Sequence, residues 1–261
     1  MSLERWLDRV VCGDCLEVLR ELPDGCVDAV VTDPPYGISA PNKVRVRGYG
    51  NGTGHYIPMT GDFGPEDREA DSAWLADAAR VLRPGGSLVV FCAVDSLQPT
   101  RNTAEAAGLD VRQSWFWCKT NSPPTPRENM CSAVECGWWF RKPGGQVTWT
   151  GGGKCPNWFS GPHYSATYSC GGRVHPMQKP DWLMRRMVEL WTNEGDLVLD
   201  PFAGSASCGV AAIDMGRRYI GIEIDETHAA NANRRLEAAR RKAAARRAHQ
   251  PALDIQEATA E

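Results

Sequence analysis

Strand-like apolar segments alternate with helical segments along this chain, and the alternation limits the folds that it can adopt. The first unit begins with "RVVC" at Arg9–Cys12, continues through "CLEVLRELPDG" with apolar residues at near-helical spacing, and ends with the strand "CVDAVVTD". A strand, a helix and a second strand of this length form a βαβ crossover. Strands that are apolar along their whole length are typical of a parallel sheet buried on both faces. The sequence therefore predicts an α/β fold.

Two stretches interrupt the alternation. Residues 40–62 are rich in Gly and polar residues and predict a mobile loop. Two segments, "LDVRQSWFWCK" and "SAVECGWWFRK", look like two antiparallel strands, and residues 120–174, which are rich in Gly, Pro and Trp, surround the second of them. The alternation resumes at Pro180 and continues to a final helix. We therefore divide the chain into a first half at 1–119, an inserted region at 120–174, a second half at 175–248 and a flexible tail at 249–261.

The composition favours a soluble, cytoplasmic protein without a membrane partner. No apolar run approaches the roughly 18 residues that a membrane span needs, and "MSLERWLDRVV" lacks the layout of a signal peptide. Without a secretory context, the ten cysteines are expected to be reduced thiols, and we predict no metal site. The less favoured alternative is a four-thiolate zinc site with irregular spacing, and its candidate ligands are Cys131, Cys136, Cys155 and Cys170.

Local charge is more informative than the formal net charge of −3. Between Val111 and Val174, basic residues outnumber the two acids, Glu128 and Glu135, and aromatic residues lie among them. The basic residues are Arg112, Lys119, Arg127, Arg141, Lys142, Lys154 and Arg173. Basic groups neutralise phosphates and aromatic rings stack on unpaired bases, so this mixture suits a nucleic-acid surface. A small aromatic β-subdomain with ordinary surface charges is the equal alternative.

A Gly-rich turn, "DPFAGSAS" at Asp200–Ser207, follows the strand "LVLD" and precedes a helix. Its small residues let the backbone approach a ligand at the start of that helix. The next strand ends at Glu223, and an acid about 20 residues beyond a Gly-rich turn suits the ribose of a cofactor. Asp200 would repel a pyrophosphate and therefore favours a cationic ligand. S-adenosylmethionine carries an ammonium and a sulfonium and has no phosphate.

A second strand-end segment, "TDPPYG", follows the strand "VDAVV". Asp33 lies where open α/β sheets bind ligands, at the carboxyl end of a strand. Pro34 and Pro35 stiffen the chain and offer only carbonyls. Asp33 and the Pro34 carbonyl are suited to accept hydrogen bonds from an exocyclic amino group while Tyr36 stacks on its ring. Such bonds localise the nitrogen lone pair for direct attack on a methyl group, so catalysis rests on positioning and electrostatics.

These segments together resemble the amino-group-specific DNA methyltransferases that use S-adenosylmethionine. "TDPPYG" is similar to their catalytic motif, "DPFAGSAS" to their cofactor motif and "HPMQKP" to a further cofactor segment. The catalytic motif precedes the cofactor motif, with the aromatic insertion between them, as in the permuted β-group. The resemblance implies a seven-stranded, Rossmann-like, mostly parallel sheet. It also implies that residues 120–174 recognise the target and that a base is flipped out of double-stranded DNA.

The resemblance also assigns residue roles. It implies Asp33, Pro34, Pro35 and Tyr36 as catalytic residues. It places Glu223 on the cofactor's ribose, Asp14 near its adenine amino group and Lys179 near its carboxylate end. The other residues that it implies along the cofactor are Asp33, Asp200, Phe202, Gly204 and Ser205. Two departures from the family pattern are Ala206 in place of a common Gly and Met177 in place of Thr.

The target base and the partners stay open in part. An acid at the first position of the four-residue motif favours adenine N6 by the resemblance, with cytosine N4 as the alternative. A catalytically silent DNA-binding homologue is a competing hypothesis, which the intact motif disfavours. Methylation of RNA or a small amine is a third. The sequence leaves open whether the chain forms a homodimer and whether a cognate restriction endonuclease accompanies it.

Overall fold

A computed structural model describes residues 3–35, 72–122, 130–163 and 178–249. Its strands are β1 (Arg9–Cys12), β2 (Val27–Thr32), β3 (Leu82–Cys92), β4 (Asp110–Lys119), β5 (Val134–Arg141), β6 (Trp158–Gly161), β7 (Leu197–Asp200) and β8 (Arg218–Glu223). Its α-helices are α1 (Cys15–Glu21), α2 (Trp74–Val81), α3 (Leu97–Ala106), α4 (Asp181–Trp191), α5 (Ser207–Asp214) and α6 (Glu226–His249). Short 3₁₀ turns lie at Leu3–Arg5, Val94–Ser96 and Gly152–Lys154. The loop predicted at 40–62 lies outside the described residues, as do residues 250–261 of the tail predicted at 249–261, whereas His249 is the last residue of α6.

One mixed sheet organises these elements, in the order β1-β8-β7-β2-β3-β5-β4-β6. The pairs from β1 to β3 are all parallel, whereas β5 runs antiparallel to both β3 and β4. The predicted α/β fold with a mostly parallel sheet is confirmed. The expected number of seven strands is wrong, because the described residues form eight. The additional edge strand is the short β6, which pairs in parallel with β4.

Part of the predicted inserted region belongs to the sheet. The antiparallel pairing predicted for "LDVRQSWFWCK" and "SAVECGWWFRK" is confirmed by β4 and β5. However, β5 lies between β3 and β4 and therefore stabilises the main sheet. Gly137 makes this insertion possible, since a Cβ there would lie 2.2 Å from the Val90 carbonyl oxygen and 2.3 Å from the Trp115 ring. Target recognition by residues 120–174 stays a prediction.

Two hydrophobic cores cover the two faces of the sheet. Helices α4, α5 and α6 pack on one face through residues such as Met187, Ala212 and Leu236. Helices α1 and α2 pack on the other face through residues such as Leu19 and Ala78. This two-sided cover explains why β2 and β7 are apolar along almost their whole length, since neither face reaches water. Within the described part of the chain, no helix is both long enough and apolar enough to cross a membrane.

Candidate active site

Five neighbouring parallel strands end at the same edge of the sheet, and the predicted acids follow those ends. Asp33 comes directly after β2, and Asp200 is the last residue of the adjacent β7. Glu223 is the last residue of β8 and is in register with Cys12, the last residue of β1. Asp14 follows Cys12 by two residues. The carboxyl edge of a parallel sheet is where open α/β folds bind ligands. The structure therefore brings these four acids to one edge.

Glu223 holds the Gly-rich turn against the end of β8. Its carboxylate accepts a hydrogen bond from the Gly204 amide at 2.8 Å and from the Asp225 amide at 3.0 Å. The turn includes two left-handed residues, Gly204 with φ of 50° and Ala206 with φ of 54°. A left-handed backbone explains why Gly is favoured at the position of Ala206, because an L side chain costs about 1–2 kcal/mol there. Each Glu223 oxygen has a second lone pair with which to accept a ligand hydroxyl.

The end of the turn is fixed from two directions. The Ser205 hydroxyl lies 3.0 Å from the Ser207 hydroxyl, and both residues are buried. The guanidinium of Arg235 on α6 donates to the Ser205 carbonyl. Asp225 caps α6, because its side chain accepts a hydrogen bond from the His228 amide at 2.7 Å. The turn is therefore preorganised around the start of α5.

Asp200 is a buried carboxyl group with an altered protonation equilibrium. Its side chain accepts hydrogen bonds from the Thr32 hydroxyl at 2.7 Å and the Phe202 amide at 3.2 Å. Burial raises the pKa of Asp200 to about 7, with further increases from the charges of Asp33 and Glu223, although the two hydrogen bonds oppose them. A cation placed beside Asp200 would restore its ionised form. This side chain therefore suits a positively charged ligand.

Asp33 belongs to a chain of four charged side chains. Its carboxylate forms an ion pair with Lys179, which precedes α4 and also lies 3.4 Å from Glu135 at the start of β5. Glu135 in turn contacts Lys119, at the end of β4, at 2.8 Å. Burial lowers the pKa of Lys179, but Asp33 and Glu135 outweigh it, so that the pKa is raised overall. The predicted position of Lys179 near a cofactor carboxylate stays a prediction.

The other predicted site residues have structural contacts of their own. Asp14 caps α1, and its carboxylate accepts from the Leu16 amide at 2.7 Å and, more weakly, from Glu17 at 3.4 Å. Phe202 packs edge-on against Trp74, with 5.3 Å between the ring centroids. Pro34 and Pro35 follow Asp33 as the last described residues before position 72, and Tyr36 lies outside the described part. The roles of these residues in catalysis and cofactor binding stay predictions.

Several basic residues of the 111–174 segment stabilise the fold. Lys119 pairs with Glu135, and Arg141 pairs with Asp110 at 3.1 Å. The Lys142 ammonium donates to two main-chain carbonyls, and the Arg112 guanidinium lies 5.7 Å from the centroid of the Trp139 ring. Lys154 is exposed, whereas Arg127 and Arg173 lie outside the described residues. The composition of this segment therefore reflects its fold as well as any nucleic-acid surface.

The cysteines near the site are thiols. Cys92 of β3 and Cys136 of β5 are buried register partners, and the Cys136 thiol donates to the Cys92 carbonyl at 3.3 Å. Hydrogen bonding with Cys136 and burial raise the pKa of Cys92 well above its usual range. Across the four described ranges, no group of three or more His, Cys, Asp or Glu side chains is arranged to hold a metal ion. Cys170, a candidate zinc ligand, lies outside those ranges.

Sequence reasoning missed Thr32, Lys119 and Glu135 as members of this site. Glu135 had one visible signal, since it is one of two acids among the seven basic residues of its segment. Thr32 is fully buried and precedes Asp33 in an otherwise apolar strand end. A polar residue in such a strand needs a partner, and its partner is Asp200. Lys119 had no signal beyond its charge.

Two relatives of this chain are both named as type II methyltransferases. The type II methyltransferase M2.DpnII of Streptococcus pneumoniae is 27% identical over 246 residues, which cover 88% of this chain and 89% of that protein. The type II methyltransferase M.HinfI of Haemophilus influenzae is 25% identical, over 90% of this chain and 70% of that protein.

Solved structures share the fold. The complex of M1.HpyAVI with SAM has a TM-score of 0.64 at 24% identity and covers 87% of this chain and 98% of that one. The cytosine-N4-specific PvuII DNA methyltransferase has a TM-score of 0.62 at 19% identity, over 90% of this chain and 91% of that one. The model of the N6/N4 methyltransferase family, described as DNA methylase, matches residues 27–234, from the start of β2 into α6. The chain therefore belongs to the N6/N4 DNA methylase family and is a DNA methyltransferase.

Proposed function

We propose that this enzyme transfers a methyl group from S-adenosylmethionine to the exocyclic amino group of a base flipped out of double-stranded DNA, with adenine N6 as the favoured acceptor. The observation that carries the proposal is the hydrogen bond between Thr32 and Asp200, at 2.7 Å. This bond links the last residue of β2 to the last residue of β7. It therefore holds the acceptor segment that begins at Asp33 beside the cofactor turn that begins at Asp200.

The residues at the turn fit the cofactor. S-adenosylmethionine, when bound, supplies an electrophilic methyl group on a sulfonium. Asp200 is buried and suits a cationic group, since a cation would offset its desolvation. Glu223 has lone pairs for the two ribose hydroxyls. Gly204 and Ser205 have little or no side chain, so the cofactor can approach their main chain closely. Asp14, Phe202 and Lys179 complete the proposed cofactor site at the adjoining strand ends and loops.

The acceptor side of the site is Asp33 with the two prolines. Asp33 and the Pro34 carbonyl accept hydrogen bonds from the amino group, and Tyr36 stacks on the base. An amino group conjugated to a base is a poor nucleophile, and these acceptors draw its lone pair out of the ring for an in-line attack. Transfer would form the nitrogen–carbon bond as the carbon–sulfur bond breaks with its electron pair left on sulfur, and Asp33 would accept the proton that the nitrogen loses. Pro35 keeps the segment rigid.

Adenine is favoured because an acid stands at the first position of the four-residue motif, where serine accompanies cytosine N4 more often. Cytosine N4 is the alternative acceptor.

The type II names of the relatives support a further proposal, that a cognate restriction endonuclease cuts DNA which this enzyme leaves unmethylated. A homodimer is tested separately, by measuring the mass of the protein in solution with and without DNA.

Nucleoside analysis tests the proposal directly. The purified enzyme is incubated with unmethylated genomic DNA and S-adenosylmethionine that carries an isotopically labelled methyl group, and the DNA is digested to nucleosides. The expected product is labelled N6-methyladenine. Labelled N4-methylcytosine would instead identify cytosine N4, the alternative, as the acceptor. Label in RNA but not in DNA, or no label in any nucleic acid, would overturn the proposal.

A further inference from the structure

A buried chain of charges leads from β4 to the proposed catalytic carboxylate. Its order is Lys119, Glu135, Lys179 and Asp33, and these residues come from four separate parts of the fold. The Lys179 side chain is only 8% exposed and that of Lys119 12%, while both carboxylates are less than one-quarter exposed. Two acids and two lysines cancel in charge. Each member of the chain thus depends on its neighbours for compensation.

Glu135 occupies the centre of this chain. Its Oε1 lies 2.8 Å from the Lys119 ammonium, whereas its Oε2 lies 3.4 Å from the Lys179 ammonium. Because the two oxygens serve different lysines, the carboxylate fixes the distance between them. Burial raises the pKa of Glu135, but the two lysines outweigh it and lower the pKa overall. Glu135 is therefore an anion that both lysines share.

Aromatic rings hold the two ammonium groups in place. The Lys179 ammonium lies 5.0 Å from the centroid of the Phe91 ring, and the Lys119 ammonium lies 5.4 Å from that of the Trp117 ring. Phe91 and Trp117 are fully buried, so neither ring has room to move. The Lys179 ammonium therefore sits between two carboxylates and above a fixed ring. Its position relative to Asp33 depends on Glu135.

We propose that Glu135, supported by Lys119, is a positioning residue that holds Lys179 between two carboxylates and thereby preserves Asp33 as a hydrogen-bond acceptor for the target amino group. This inference rests on the proposed function. A lysine that was balanced by Asp33 alone would place its full charge on that carboxylate and weaken it as an acceptor. Sharing the lysine with Glu135 reduces this competition. Lys119 acts one step further away, by fixing Glu135.

Single-turnover methyl transfer by Glu135→Gln tests the inference. The variant keeps the shape of the side chain and removes its charge. With enzyme, cofactor and DNA preassembled, we expect the transfer rate to fall about 10-fold to 100-fold, the usual range for loss of a residue that orients a reactive group. The dissociation constant of S-adenosylmethionine is expected to change less than about threefold. A purely structural role would lower the folded fraction without this separation of rate from binding.

A double-mutant cycle tests the order of the chain. Lys119→Met is expected to slow transfer in the wild-type background, whereas Lys119→Arg restores most of the rate. In the Glu135→Gln background, Lys119→Met is expected to have no further effect, since Lys119 acts through Glu135. The matched control is Asp110→Asn, which removes the ion pair with Arg141 at the other end of the same two strands. Its transfer rate should equal that of the wild type.

Two outcomes overturn the inference while the wild type remains active. One is an undiminished transfer rate in folded Glu135→Gln. The other is an equal loss of cofactor affinity and rate, which would assign the chain to cofactor binding. If Glu135→Gln does not fold, an undiminished rate in Lys119→Met overturns the inference instead. A wild-type enzyme that methylates no DNA would overturn the proposed function itself.

Discussion

At the residue scale, burial changes the chemistry of carboxyl groups that resemble each other in the sequence. Asp33, Asp200 and Glu223 are all acids at strand ends, but their partners differ. Asp33 pairs with a lysine, Glu223 accepts from main-chain amides, and Asp200 accepts from a hydroxyl and an amide while it is nearly inaccessible to solvent. Burial raises the pKa of Asp200 to about 7. Its protonation state depends on whether a cation lies beside it.

Cofactor affinity is predicted to depend on pH through Asp200. The raised pKa means that the unliganded carboxyl is largely protonated below about pH 7, whereas a bound cation favours the ionised form. Binding should therefore release a proton, and the affinity should rise about tenfold between pH 6 and pH 8. Calorimetry in buffers with different ionisation enthalpies measures both effects. Asp200→Asn should bind more weakly and without this pH dependence, and pH-independent binding by the wild type would contradict the prediction.

Asp33→Asn is predicted to separate methyl transfer from cofactor binding. The substitution keeps the size of the side chain but removes the acceptor charge, so the transfer rate should fall at least about 100-fold, as for loss of one preorganised electrostatic group. Asp33→Ala is a poorer test, because it also removes the polar side-chain group that contacts the buried Lys179. Labelled methyl transfer and calorimetry measure the two effects. Unchanged transfer by Asp33→Asn would refute the catalytic role.

At the scale of elements, α6 closes one edge of the sheet. The Asn233 side chain accepts from the Val10 amide at 2.9 Å and donates to the Val10 carbonyl at 2.8 Å, which are the groups that a further strand would use. The same amide group donates to the Ala229 carbonyl within the helix at 3.0 Å. The helix thus covers the main chain of the edge strand β1 with a side chain that mimics another strand.

Asn233→Ala is predicted to lower the free energy of unfolding by about 1–3 kcal/mol, because it leaves part-buried main-chain groups of Val10 without their partner. Urea denaturation followed by circular dichroism measures the change. The matched control is Asn231→Ala on the same helix, whose side chain accepts only an exposed bond from Arg234. An equal effect of the two substitutions would show that the contact with β1 contributes no stability.

At the scale of the whole molecule, one sheet lies between two cores, and the proposed cofactor is predicted to contact loops that follow three of its strands. A ligand that binds only the folded state stabilises it by about 2.7 kcal/mol at a concentration 100 times its dissociation constant. We therefore expect S-adenosylmethionine to raise the melting temperature by roughly 5–10 °C, measured by scanning calorimetry. Glu223→Ala should reduce the shift, since the Gly-rich turn loses its anchor. No shift in the wild type would contradict the proposed cofactor.

Much of the α/β framework could be predicted from local patterns. The first helix, predicted from Leu16, Val18, Leu19 and Leu22, is observed as α1, and the strand predicted at Arg9–Cys12 has those same bounds as β1. Helix α3 ends before Gly108, which has φ of 81° as expected of a capping glycine. These features depend on neighbours in sequence. The place of β5 between β3 and β4 does not depend on neighbours in sequence, because either strand of an antiparallel pair could have joined β3.

The sequence by itself determined the fold class, the family and the location of Asp33, Asp200 and Glu223 at one edge, since parallel strands align their carboxyl ends. Only the tertiary structure decided which side chains meet there. Lys179 reaches Asp33 across 146 positions of sequence, and Thr32 reaches Asp200 across 168. The physical reason is that a buried charge or hydroxyl takes whichever partner the packed elements bring within reach. Sequence spacing carries no information about such partners, whereas strand order and helix packing fix them.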